Sequence, residues 1–152
     1  MEGGDYIAET KRILKEAPMM AVTVQNLTDE IAELEAFLAD ESIAAARYGV
    51  DAIGGGAGEL TATEAAAARR VKMERRIIDL RHRIAAIERR RKAIDRALGV
   101  LKEDEREIIR AKMAGRSWVQ ISVKLGFAER SCQHKYKAAL SCVAKILFGE
   151  WG

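Results

Sequence analysis

The apolar positions of this chain fall into seams of alternating four- and three-residue steps. One seam runs Met20, Val24, Leu27, Ile31, Leu34, Leu38 and keeps its phase through Glu41, Ala45 and Tyr48. A second runs Met73, Ile77, Leu80, Ile84, Ile87, Arg91, Ile94, Leu98. Such steps put one side chain per turn on a single face, the heptad pattern of packed helices. The stretch "MMAVTV" is rich in β-branched residues, but the unbroken phase through it predicts helix. Ahead of the first seam, Ile7, Ile13, Leu14 and Ala17 predict a short amphipathic helix over 5–17. It ends before Pro18, which suits the first turn of the next helix because its missing N–H costs nothing there. Residues 49–58 hold five glycines, so a flexible loop is expected at about 49–60. The second long helix is expected to start with Thr61 or Thr63 as N-cap, with Glu64 completing a capping box with Thr61.

Two seams joined by a short loop should pack antiparallel. One register sets Leu38 opposite Met73, Leu34 opposite Ile77, Ile31 opposite Leu80, Leu27 opposite Ile84 and Val24 opposite Ile87. It also pairs Glu41 with Arg70. Sliding by one heptad would place Arg70 against Leu34, a desolvated charge without a partner, so the first register is expected. Arg91 then faces Met20, beyond the apolar match, and is expected to snorkel outward or to touch a neighbouring element. A two-helix hairpin buries little alone, so four-helix or larger assemblies of hairpins are compatible with the pattern.

Beyond Leu98 the rhythm shortens, with Gly99 expected as the C-cap of the long helix. "LKEDEREIIRAKMAG" predicts a helix with Glu103, Asp104 and Glu105 at its start, where the dipole favours acids. Leu101, Ile108, Ile109 and Met113 form its stripe, and Gly115 ends it. Ser117 caps "WVQISVKL"; then comes "GF", then a helix from about Glu129 to Phe148. A short helix, a tight glycine turn and a longer helix make a helix-turn-helix. Ile121, Leu125, Phe127, Cys132, Tyr136 and Leu140 fall where its small core is needed. Domains are therefore expected at 1–98 and 99–152. The apolar end, "VAKILFGEWG", is expected to pack on the hairpin or against a second copy.

Charge adds a direction to this layout. Residues 1–60 hold 12 Asp/Glu against 4 Lys/Arg, residues 61–100 hold 5 against 12, and residues 101–152 hold 6 against 10. The acidic first helix and basic second helix attract along their flanks, each exposed pair contributing roughly 0–1 kcal/mol. The composition is 49% hydrophobic with one proline and few aromatics, which suits an all-α protein and not a disordered one. There is no cationic leader followed by an apolar run, and no apolar run approaches the ~18 residues of a membrane span. Two cysteines form no disulfide framework, so a reducing cytoplasm is the expected setting.

Cys132, His134 and Cys142 resemble part of a metal site, but helical geometry separates them. Cys132 and His134 lie ~200° apart around the axis, and Cys142 is about 15 Å along it from Cys132. No metal, no other cofactor and no disulfide is expected; Cys132 reads as a small core hydrophobe. The opposite face of the same helix carries Arg130, Ser131, Gln133, His134 and Lys137, with Lys135 at its edge. A cation, hydrogen-bonding groups and an imidazole on one face suit a major groove. Arg116 and Lys135 are expected to hold phosphates. There is no phosphate loop, no nucleophile beside a base and no carboxylate pair in a cleft, so no enzyme is expected.

Over Leu101, Gly115, Ser117-Trp118, Ile121, Leu125-Gly126, Phe127 and Ala139-Leu140 the chain resembles region 4 of bacterial sigma factors and the related response-regulator helix-turn-helix. It departs from that pattern at Ser122 and Cys132, both small. The layout of a helical hairpin ahead of such a module resembles phage transcriptional regulators of the RinA and ArpU type. The resemblance implies an activator of phage late genes, such as the packaging and structural operon. The aromatic-rich helices of a complete sigma factor, which melt the −10 element, are absent. Double-stranded promoter DNA is the expected partner, with RNA polymerase as a second candidate. The two-half-site logic of such proteins favours a homodimer or higher homo-oligomer. Two other readings stand beside this one. One is a small terminase-like DNA-packaging subunit, although there the DNA-binding unit usually comes first. The other is a non-DNA adaptor acting through the hairpin.

Overall fold

The computed structural model describes residues 3–48 and 57–149. They form five helices: α1 (Gly3–Tyr48), α2 (Ala57–Val100), α3 (Glu103–Met113), α4 (Trp118–Leu125) and α5 (Glu129–Phe148). The described residues contain no strand, so the chain is all-α. None of these helices is long and apolar enough to cross a membrane. Most of the expected glycine loop lies outside the described residues, as do the side chains of Ala45, Tyr48 and Trp151.

Three helix boundaries differ from the sequence expectation. Pro18 does not separate two helices; it lies inside α1. An interior proline removes one i→i−4 bond and crowds the carbonyl four residues back. Here that local cost is overridden by burial on both sides of it. Ile13 and Leu14 are core residues before Pro18, and Ala17 and Met20 pack on the same core. α2 already runs from Ala57, so Thr61 and Thr63 stand within the helix and neither is its N-cap. Gly99 is likewise helical rather than a C-cap, because α2 continues to Val100. A side chain takes over the capping. Arg106 Nε donates to the Leu98 carbonyl and its Nη2 to the Leu101 carbonyl, both at 3.0 Å. One guanidinium fork thus satisfies two carbonyls where the helix ladder runs out.

The chain divides into two compact units, Val22–Glu88 and Met1–Ala21 with Arg89–Gly152. In the first unit Ile31, Ile77 and Leu80 are buried together, with Leu27, Leu34, Leu38 and Ile84 packed against them. On the flanks Arg76 pairs with Glu30 at 3.0 Å and Arg81 pairs with Glu35. Arg70 does not meet Glu41. It donates to the Ser42 hydroxyl and lies 3.6 Å from Glu74, a helical neighbour four residues on. Its length lets it reach the flank, where both partners keep their water.

The second unit does not respect the boundary expected at 98/99. Ile13 and Leu14 of α1, Ile94, Ala97 and Leu98 of α2, Ile109 of α3, and Ala139, Leu140 and Val143 of α5 form one buried cluster with Leu101. The change in rhythm after Leu98 marks a turn, not an end of packing. The apolar end of the chain belongs here too. Ile146, Leu147 and Phe148 pack against this cluster, and the rings of Phe148 and Tyr6 lie 5.0 Å apart.

Candidate nucleic-acid interface

α3, α4 and α5 pack around a small core of Ile108, Ile121 and Cys132, with Ala111, Trp118, Leu125 and Tyr136 against it. The local sequence dictates each turn. Ser117 Oγ accepts from the Gln120 amide at 3.2 Å, while the Gln120 side chain accepts from the Ser117 amide at 3.0 Å. This reciprocal pair satisfies two donors at the start of α4. Gly126 ends α4 at φ 77, and Gly115 turns the chain after α3 at φ 80. Both are left-handed values that favour glycine. Trp118 meets Tyr136 edge-on at 5.2 Å between ring centroids, and Lys112 Nζ lies 4.5 Å over the Trp118 ring. Burial pushes the Tyr136 hydroxyl above its ordinary pKa.

This packing fixes the rotation of α5. Cys132, Ala139, Leu140 and Val143 are buried, whereas Arg130, Ser131, Gln133, His134 and Lys137 are all exposed. The five side chains expected on one face of the helix are therefore turned to solvent. Arg116 is exposed in the segment before α4. It borders a cleft of about 250 Å³ that Arg110, Lys124 and Glu107 also line. Arg110, Lys112 and Lys124 escaped the sequence reading. Arg110 and Lys112 sit among charges of both signs on α3 and Lys124 is the one charge of α4, so only the fold reveals that Arg110 and Lys124 gather beside Arg116.

Two expectations change on this face. Lys135, expected to hold a phosphate, is engaged within the fold: its Nζ is 2.7 Å from Asp104 Oδ2 and both residues are half-buried. The hydrogen bond from Lys135 holds the Asp104 carboxyl below its ordinary pKa, and the same bond raises the Lys135 amine. Phe127, expected in the core, is 38% exposed. Its ring instead lies under Lys135 Nζ at 4.7 Å, a cation–π contact that keeps one ring face in use without burying it.

The cysteines are divided as helical geometry requires. Cys132 is buried in the core of α3, α4 and α5, and Cys142 packs against the cluster around Leu140 and Val143. Among the described residues, no three His, Cys, Asp or Glu side chains gather where they could hold a metal ion. In comparisons with protein-family models, curated proteins and solved structures, nothing matches the chain.

Proposed function

We propose that this protein is a sequence-specific DNA-binding transcription regulator in which α4 and α5 act as a helix-turn-helix. The observation that carries the reading is the exposed face of α5. Arg130, Ser131, Gln133, His134 and Lys137 all point away from the core that anchors Cys132 and Leu140. A helix held by one face and offering arginine, glutamine and histidine on the other suits a major groove. Arginine pairs with guanine and glutamine with adenine through two hydrogen bonds each. Arg110, Arg116 and Lys124, which line one cleft, supply cations for phosphates. Lys135 has no DNA role in this reading; it fastens α5 to α3.

The long helices are proposed to form an antiparallel coiled-coil hairpin. The flank pairs support this. Glu30 and Arg76 each precede a seam residue, whereas Glu35 and Arg81 each follow one. Reversing one helix exchanges its flanks, so like flanks meet only when the helices run in opposite directions. The resemblance to regulators of the RinA and ArpU type extends the proposal to an activator of phage late genes. It acts on promoter DNA as a homo-oligomer, with RNA polymerase as a second partner.

The test is fluorescence anisotropy of labelled duplex DNA over a range of salt. Binding is expected to weaken linearly on a log–log plot, with a slope of about −0.9 per neutralised phosphate. Absence of binding at low salt contradicts the proposal and favours an adaptor role.

A further inference from the structure

Beside the α5 face is a cavity of about 720 Å³, within the range of about 300–1,000 Å³ of small-molecule sites. Its floor is apolar, made of Ile7, Trp118, Tyr136 and Leu140. Lys11, Gln133 and Lys137 contribute the polar rim, and among the described residues no carboxylate lines it. Neither lysine pairs with a carboxylate among the described residues. A neighbouring cleft shares Lys11 and Tyr136 and adds Lys15 and Lys112, again without an acid among the described residues. An apolar floor beside Lys11 and Lys137, which meet no carboxylate among the described residues, suits a ligand with an apolar body better than a phosphate backbone, which has no such body to place on Trp118 and Leu140.

We infer that this groove is a binding site for a small amphipathic anion, an aromatic or aliphatic body bearing one carboxylate, sulfonate or phosphate. The body lies between Ile7 and Leu140 against the rings of Trp118 and Tyr136. The anionic group meets Lys11 and Lys137, where a charge-assisted bond is shorter and stronger than a neutral one. Gln133 can add a donor to the same oxygen atoms. Because Gln133 and Lys137 also belong to the proposed DNA-reading face, an occupied groove and a bound duplex exclude one another. That consequence rests on the proposed function; the site itself does not.

The test uses 8-anilinonaphthalene-1-sulfonate, whose fluorescence rises in apolar surroundings, and its uncharged relative N-phenyl-1-naphthylamine. The full-length protein is expected to bind the sulfonate saturably and the uncharged probe more weakly. Lys11→Ala with Lys137→Ala should weaken the sulfonate by about tenfold or more, the loss expected for charged hydrogen bonds. Lys145→Ala, outside the groove, should leave it unchanged. Helicity by circular dichroism verifies that each variant folds, and Ser141→Phe, at the groove wall, should block both probes. Equal affinity for the two probes, or an unchanged affinity in the double lysine variant, overturns the site. In a parallel arm the sulfonate should displace bound duplex DNA, and simultaneous binding overturns the exclusion. If the duplex does not bind without the probe, the proposed function and the exclusion both fall, while the fluorescence titration still decides the site.

Discussion

Lys135 of α5 and Asp104 of α3 are joined by a 2.7 Å hydrogen bond between Nζ and Oδ2. The pair fastens the first turn of α3 to α5, adding a polar tie to the core packing that sets the rotation of α5. Asp104→Asn should therefore lower the melting temperature at neutral pH. The pH dependence has a definite sign. Asp104 is lowered in the folded state, so its contribution is present above the unfolded value near ~3.9 and fades as pH falls through the folded one. Lys135 is raised, so its contribution is present below the unfolded value near ~10.4 and fades as pH climbs through the folded one. The gap in melting temperature between the two proteins should be widest from about pH 5 to 9 and close at both ends. A gap independent of pH would show that the pair contributes through packing alone.

Arg106 caps the junction between α2 and α3 through the carbonyls of Leu98 and Leu101. Arg106→Ala should cost about 1.5–3 kcal/mol, the range for hydrogen bonds to a charged group. Arg106→Lys should recover only part of this, because an ammonium lacks the planar fork that spans two acceptors. Urea denaturation of the three proteins measures the difference. Full recovery by lysine would refute the bidentate cap.

Pro18 lies within α1 and is exposed. Pro18→Ala restores an N–H and relieves the crowding at the Leu14 carbonyl, so stability should rise, by at most about 3 kcal/mol. A fall in the urea midpoint would mean that the packing of Leu14 and Met20 requires the bend that proline imposes.

Ile31 and Leu80 are buried in one cluster. Cysteines at these two positions, with Cys142 replaced by serine, should form an intramolecular disulfide under mild oxidation. Non-reducing gel mobility and mass spectrometry report it. Absence of the bond in a folded protein would reject the proposed hairpin register.

Helix type was legible in the sequence because it follows from local periodicity, and the seams, Ser117 and Gly126 are local signals. α4 and α5 carry strong turn chemistry, and their limits follow from it. Pro18 and Gly99 misled for one reason. Each is a local punctuation mark, and each was overruled by contacts made in the fold. Ile13 and Met20 hold α1 together across Pro18, and Arg106 reaches back past Gly99. The outward face of α5 could be read because Cys132, Tyr136 and Ala139 fix its phase. Lys135 lies at the edge of that face, where periodicity alone does not choose between solvent and a partner. Asp104, 31 residues earlier, made the choice. The groove beneath Gln133 was invisible for a similar reason, since Ile7 and Trp118 meet only in the folded unit.

The central claim, that α5 reads DNA, is tested most directly by selecting bound duplexes from a randomised pool with the original protein and with Gln133→Ala. The account predicts one enriched motif for the original protein. In the variant the same motif should reappear with one base pair relaxed, by about 1–3 kcal/mol of discrimination. Arg116→Ala, selected alongside, should keep the motif, weaken all sequences and reduce the salt slope by about one unit. No enriched motif, or a motif identical at every position in Gln133→Ala, would contradict it.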